Sequence, residues 1–372
     1  MENASPLPPP PVLPPPPTTC AAPAAPPQKK KRGCLIAVLV AGGVLFLGAV
    51  MLFVALAVMI GKADVALDGG SASVRKPHEE LLSGSAFSAD KIAVIDVKGV
   101  IMNASGGGLF GDGGVANAAV ICDLLAAAGK DPRVRAVILD MDTPGGEVTA
   151  SDEIHHAVQL LRRHKIPVVT CMHSLGASGG YYVAAGTDHI VANRHTFTGS
   201  VGVIMAGYNY TDLMDKIGIR AATYKSGAMK DMLSGSRSTT PQEEEYVRFL
   251  IRQTFLGFVD VVAAGRGAFS GNREAVLKMD FADGRVLSGE DAFKQKLVDQ
   301  LGYFSDAVAK ARQLSGCPGD LKVVRYRRSS SLAEIFLSAR AEPKLKLEAP
   351  FGIGAVTMSP GRAYYLLPAC AP

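Results

Sequence analysis

An α/β fold with largely parallel strands is predicted by three features of the 372-residue sequence. Apolar, strand-like runs alternate with segments of helical periodicity. The runs are apolar throughout, as in sheets covered by helices on both faces. Small-residue turns follow two of them, at Pro144-Gly145-Gly146 and at Gly176-Ala177-Ser178-Gly179-Gly180. Repeated units of this kind pack as layers of sheet and helix around one core.

Residues 1–33 open with Pro-rich runs, expected to form an extended tail, and end in Lys29, Lys30, Lys31 and Arg32. Cys34 to Gly61 carries no charge. A bilayer-spanning helix needs about 20 apolar residues, so 34–61 is expected to be a transmembrane helix. The basic cluster before it places the N-terminus in the cytoplasm and the rest of the chain across the membrane. A cleavable signal peptide is the competing expectation, but its apolar stretch runs only about 7–15 residues. Residues 62–90 are polar and Gly/Ser-containing and are expected to be a linker.

The alternation begins with a strand over Lys91–Lys98, followed by a Gly-rich loop from Gly106 to Gly114. Val115–Ala128 suits a helix and Val134–Asp140 a strand. Ile154, Val158 and Leu161 line one side of a helix over 149–164. Ile166–Cys171 is a strand, Tyr181–Gly186 a small-residue helix and His189–Ala192 a short strand. Thr240-Pro241-Gln242-Glu243 has an N-cap threonine, proline at the first position and a glutamate closing a capping box, so a helix runs from there towards Ala264. Ser288 opens another helix. Residues 307–372 lose the pattern, and 341–372 look irregular.

The formal charge of +5 excludes a nucleic-acid role, because the N-terminal 61 residues hold a net +3 of it and no basic face remains on the folded part. The cysteines show no metal-ligand spacing, and Cys122 and Cys171 sit in apolar runs as buried thiols do. No metal or cofactor is expected.

Ser178 stands where a strand-derived loop meets a helix N-terminus, a place that favours developing negative charge. A serine needs a base to take its proton. Without one, Gly-Ala-Ser-Gly-Gly is only a tight turn. Pro144-Gly145-Gly146 offers unhindered backbone N–H groups for an oxyanion hole, with Gly179 as the second donor; the bland alternative is a helix-opening turn. The base is open on the residues alone. Lys225 and Lys230 lie in one segment, and an isolated lysine is usually a solvated surface group. His155, His156, His173, His189 and His195 are the histidine alternatives.

Four ordered motifs resemble the signal peptide peptidase A family, the S49 serine peptidases. They are Asp142-Thr-Pro-Gly-Gly146, His173-Ser-Leu-Gly-Ala-Ser-Gly-Gly-Tyr-Tyr182, Thr198-Gly-Ser-Val-Gly-Val203 and Tyr224-Lys-Ser-Gly-Ala-Met-Lys-Asp231. The likeness continues through Gly265-Arg-Gly267 and Gly284–Glu290 and covers about residues 91–306. It implies a crotonase/ClpP-like fold of repeated ββα units. By position it implies Ser178 as nucleophile, Lys230 as general base and Ser200 as the residue that orients the lysine. Gly145 and Gly179 match the oxyanion donors, with Gly146 as a register alternative, and Lys225 matches no catalytic position. The sequence departs from the family at Ser234-Gly235, where Ser-Pro is usual.

The resemblance also implies that serine and lysine come from neighbouring subunits, so this single-repeat chain would act as a homo-oligomer. The expected function is a bacterial inner-membrane endopeptidase that cuts remnant signal peptides and other apolar extended segments through an acyl-enzyme. A crotonase-type acyl-CoA enzyme and a non-catalytic oligomeric membrane scaffold are the alternatives.

Overall fold

A computed structural model describes residues 76–103, 114–328 and 364–366, with Gly48 and Met51 alone further upstream. The chain divides into two units, Met1–Ser71 and Ala72–Pro372, and every described strand belongs to the second. The expected membrane segment lies outside the described residues apart from Gly48 and Met51, both helical. Among the described residues no helix is long and apolar enough to cross a membrane. Most of the Gly-rich loop also falls outside them.

The central strands are β2 (Lys91–Lys98), β5 (Val134–Thr143), β7 (Val168–Ala177) and β8 (His189–Ala192), all parallel. They are nearly wholly buried, which explains their unbroken apolar sequences. The larger sheet runs β1 (His78–Ser83), β12 (Lys322–Arg327), β2, β5, β7, β8, β11 (Gln300–Leu301). The short β9 (Phe197–Gly199) branches from β7 and pairs with β10 (Val286–Ser288). A smaller sheet has the order β13 (Tyr364–Leu366), β6 (Gly145–Glu147), β3 (Val100–Met102), β4 (Val115–Asn117).

One face of the large sheet packs Ile95, Val97, Leu139 and Met141 into the main core. Helices α1 (Ala118–Lys130), α2 (Val148–Arg163), α3 (Gly179–Ala185) and, after α4 (Thr211–Lys216), α5 (Pro241–Gly265) contribute buried residues to that core or flank it. Short helices α6 (Arg273–Leu277) and α7 (Gly289–Lys294) follow. The opposite face, with Ile92, Val94, Ile138 and Val169, is covered by Ala307 and Ala311 of α8 (Phe304–Ser315).

Several elements differ from the sequence expectation. Residues 115–117 form β4 instead of a first helical turn, because the Asn117 side chain accepts from the Val120 N–H and starts α1 one residue later. Strand β7 continues six residues beyond Cys171, since Leu175–Ala177 pairs with β9. Pro144-Gly-Gly does not open a helix directly; Gly145–Glu147 is a strand first. The stretch expected as a linker contains β1. Residues 307–372 contain most of α8 and all of β12, which inserts between β1 and β2. The β12 signal is masked by Arg325 and Arg327, which reach Asp140 and Glu80. The predicted capping box at Thr240 and Glu243 is present.

Candidate active site

Three parallel strands bring their carboxyl ends together. Thr143 of β5 lies opposite Gly176 of β7, and Ala177 of β7 lies opposite Gly199 of β9. The next residues along these strands are Gly145 (after Pro144), Ser178 and Ser200. Open parallel sheets place their sites at such ends.

Ser178 has φ 54° and ψ −116°, a combination that L residues rarely adopt. A conformation of this kind costs about 1–3 kcal/mol and persists where the surroundings enforce it. Here its N–H donates to Gly199 O at 2.9 Å, and its carbonyl accepts from Tyr182 N–H at 2.8 Å as the helix begins. The side chain is buried (1% exposed), and its Oγ has no hydrogen-bond partner among the described residues. A buried hydroxyl without a partner costs about 1–3 kcal/mol, so an unpaired Oγ at a helix N-terminus is a notable exception to ordinary packing.

Gly180 has no room for a side chain, because a Cβ there would lie 2.6 Å from Thr143 Cγ2. This approach seats the Ser178 turn against the Gly145 loop. Gly179 is the first residue of α3, so its N–H is among those a helix leaves without an internal partner. Gly145 has φ 95°, but its N–H donates to Thr143 Oγ1 at 3.1 Å, and that hydroxyl donates to Gly99 O at 2.5 Å. In this arrangement the Gly145 donor is already used, and Gly146 is the neighbouring register. Ser200 is also buried at positive φ (51°), with its N–H donating to Arg285 O at 2.9 Å.

The structure thus gathers Ser178, Ser200, Gly145 and Gly179. It does not join Lys230 to them within one chain. Lys230 is exposed, on a turn where its N–H donates to Gly227 O at 3.1 Å. Among the described residues the adjacent carboxylate, Asp231, is not bonded to Lys230. Asp231 is held by Lys225 Nζ at 2.7 Å and Arg237 at 2.6 Å, and Arg237 also binds Glu243 at the start of α5. These cations keep the Asp231 carboxyl well below its ordinary range. Among the described residues Lys225 pairs with Asp231, and Lys230 makes no ion pair. Gly235 closes the same loop: a Cβ there would meet Tyr208 O at 2.1 Å and the Tyr210 ring at 2.4 Å. No residue with a β-carbon, proline included, fits this packing.

The histidine alternatives have other partners. His173 Nε2 bonds to Asp140, whose carboxylate also receives Lys98 at 2.8 Å and Arg325 at 2.9 Å. The hydrogen bond to Asp140 raises the His173 pKa against the effect of burial. Burial alone would raise the Asp140 carboxyl, but the bonds from His173 and Lys98 outweigh it and hold it low. His155 packs its ring against Tyr182, and burial lowers its pKa. His189 sits by Gln300 and Asp299. Neither His156 nor His195 bonds to Ser178 Oγ, which has no partner among the described residues.

This ionic cluster is what the sequence expectation missed. Asp140, Cys171 and His173 have ligand atoms within 4.8 Å of one another. Lys98 and Arg325 already supply the cationic charge there, and burial pushes the Cys171 thiol up to about 12, so the set suits an ion-pair network better than a metal. A cavity of about 590 Å³ opens nearby, lined by His173, His195, Phe197 and Tyr303 among others, and none of the gathered site residues lines it.

The mixed α/β architecture thus holds a strained, buried serine at a strand-to-helix turn. Residues 161–317 match Peptidase family S49. A putative signal peptide peptidase SppA of Enterococcus faecium is 35% identical over 256 residues, 68% of this chain and 71% of its own. A putative protease of Methanocaldococcus jannaschii is 40% identical over 204 residues, 55% of this chain and 63% of its own. Protease 4 of Salmonella typhi is 33% identical over 240 residues, and these span 37% of its length. Among solved structures, a mutant of the 1510-N membrane-bound stomatin-specific protease overlaps 65% of this chain and 100% of its own at 18% identity, with a TM-score of 0.40. The chain belongs to the S49 peptidase family, with the signal peptide peptidase A proteins.

Proposed function

We propose that this chain is a membrane-anchored serine endopeptidase with a Ser–Lys dyad, on a crotonase/ClpP-like scaffold, that cuts remnant signal peptides and other apolar extended segments. The observation that carries the proposal is the buried, unpartnered Ser178 Oγ at the N-terminus of α3. In this reading Lys230 of a neighbouring copy, in its uncharged form, takes the Ser178 proton while Oγ attacks the substrate carbonyl carbon. The Gly179 N–H and a glycine N–H from Gly145-Gly146 stabilise the oxyanion, each such donor typically contributing about 2.7–4 kcal/mol. The C–N bond breaks, the amine leaves with the proton, and water hydrolyses the acyl-serine ester. Ser200 orients the lysine.

The exposed, apolar character of the segment carrying Lys230 supports a subunit-shared site. Tyr208, Leu213, Ile217, Ile219 and Tyr224 are all exposed there, and such a concentration marks an interaction surface. The apolar run at 34–61 supports the anchor, with the catalytic unit on the extracytoplasmic side of a bacterial inner membrane. The experiment is hydrolysis of a leader-like peptide combined with fluorophosphonate labelling. The proposal predicts an adduct on Ser178, abolished by Ser178→Ala and reduced by Lys230→Ala. Equal turnover in Lys230→Arg would remove the lysine from the base role, since a guanidinium does not deprotonate.

A further inference from the structure

Thr143 stands between the two turns that supply the proposed oxyanion donors. It is the last residue of β5 and is fully buried. Its hydroxyl faces two backbone groups, the Gly99 carbonyl at 2.5 Å and the Gly145 N–H at 3.1 Å. A carbonyl only accepts and an N–H only donates, so the hydroxyl hydrogen points to Gly99 and a lone pair faces Gly145. The methyl side lies against the other turn, where a Cβ on Gly180 would sit 2.6 Å from Thr143 Cγ2.

Both hydroxyl bonds converge on one loop. The Gly99 N–H donates to Asp142 O at 3.0 Å, so the last two residues of β5 hold Gly99 at its N–H and at its carbonyl. Gly99 leads into β3, which pairs with β6 through Ile101 opposite Gly146. That pairing is close, since a Cβ on Gly146 would lie 1.8 Å from Ile101 O. The hydroxyl therefore reaches the Gly145-Gly146 loop twice, directly at the Gly145 N–H and indirectly through β3. Gly99 and Gly145 have φ 87° and 95°. Glycine takes up positive and negative φ about equally readily, so both turns need an outside anchor, and Thr143 supplies it.

We infer that Thr143 is a positioning residue of the oxyanion hole. Its hydroxyl holds the Gly145-Gly146 loop and its methyl group seats the Ser178 turn, at the spacing the developing oxyanion needs. The kinetic consequence rests on the peptidase reading; the anchoring of Gly145 does not. Oxyanion donors act on the tetrahedral state more than on bound substrate, so misaligning them lowers kcat and leaves KM in place.

The test compares Thr143→Val, which keeps the shape and removes the hydroxyl, with Thr143→Ser, which keeps the hydroxyl. Both are checked for folding by circular dichroism, and Thr143→Ala, which also lacks the hydroxyl, replaces the valine variant if that one does not fold. On a leader-like apolar peptide, Thr143→Val should lose roughly tenfold or more in kcat, with KM changed by less than about twofold. Thr143→Ser should stay within about threefold of wild type, because its hydroxyl can make both bonds. A kcat in Thr143→Val at or above wild type would overturn the inference, an increase showing that the hydroxyl competes for the Gly145 N–H. An equal loss in Thr143→Ser would overturn it as well. Hydrogen exchange at the Gly145 amide, resolved by NMR, needs no turnover. It should be faster in Thr143→Val than in wild type and unchanged in Thr143→Ser. Equal exchange in wild type and Thr143→Val would overturn the anchoring whatever the activity. Faster exchange in Thr143→Val, alongside a wild type that hydrolyses no peptide and takes no fluorophosphonate, would instead sink the peptidase reading and leave the anchoring standing.

Discussion

The Ser178 N–H donates to the carbonyl of Gly199 at 2.9 Å, and this bond fastens two buried serines at positive φ, Ser178 and Ser200, to adjacent turns. Both are strained non-glycine residues side by side at strand ends, where glycine would adopt the same conformations without strain, and the proposed mechanism uses both hydroxyls.

Stability and activity should therefore separate at Ser178. Ser178→Gly removes an unpartnered buried hydroxyl and an unfavourable backbone conformation, and is expected to stabilise the chain by about 1 kcal/mol. Peptide hydrolysis should fall to background in the same variant. Thermal denaturation and a turnover assay check both, and a destabilised variant would show that the hydroxyl has a structural partner.

Arg237 ties the Lys230 turn to α5 through Asp231 and Glu243. Arg237→Ala should loosen that turn and lower kcat roughly tenfold or more, because misplacing a base by about 1 Å costs on the order of 100-fold. Arg237→Lys keeps the charge but not the two-carboxylate fork, so partial rescue is expected. Unchanged kcat in Arg237→Ala would mean the turn is held by other contacts.

Gly235 gives a second handle on the same loop. Gly235→Ala drives a Cβ into Tyr208 O and Tyr210 and should cost about 1–3 kcal/mol, as overpacking does. Gly235→Pro, which restores the residue usual in the family, should be no better tolerated. Denaturant unfolding of both variants checks this, and a stabilised proline variant would contradict the packing described.

The His173–Asp140 pair predicts a pH dependence with a definite sign. His173 is raised above its ordinary 6.5, so its contribution is full below that value and lost as pH rises through the raised one. Asp140 is depressed below 3.8, so its contribution holds above that value and is lost only as pH falls through the lowered one. Wild type should exceed His173→Gln in Tm by more at pH 6 than at pH 9. The His173 side chain is 42% exposed, which keeps the effect below about 1 kcal/mol. A larger gap at pH 9 would reverse the assignment.

Much of the scaffold was legible because local signals and tertiary packing agree. The Thr240–Glu243 capping box and the apolar strands β2, β5 and β8 lie where their residues predict. β12 was not legible, because Arg325 and Arg327 are there to meet carboxylates across the fold. Asp140 was equally hidden: its partners Lys98, His173 and Arg325 lie 42, 33 and 185 residues away. Ser178, Gly179 and Gly145 could be picked out by their small-residue turns, although only the Ser178 turn leads directly into a helix. The Ser178–Lys230 pairing could not be read from local pattern, and only the family resemblance implied a partner in another subunit.

Whether Ser178 and Lys230 act across a subunit boundary is tested most directly by complementation. Ser178→Ala and Lys230→Ala chains, each inactive alone, are mixed under conditions that allow subunits to exchange, and leader-peptide hydrolysis is measured. A shared site predicts that activity returns in the mixture, because some sites then combine an intact serine with an intact lysine. A mixture that stays inactive while exchange of labelled subunits is observed would contradict the account.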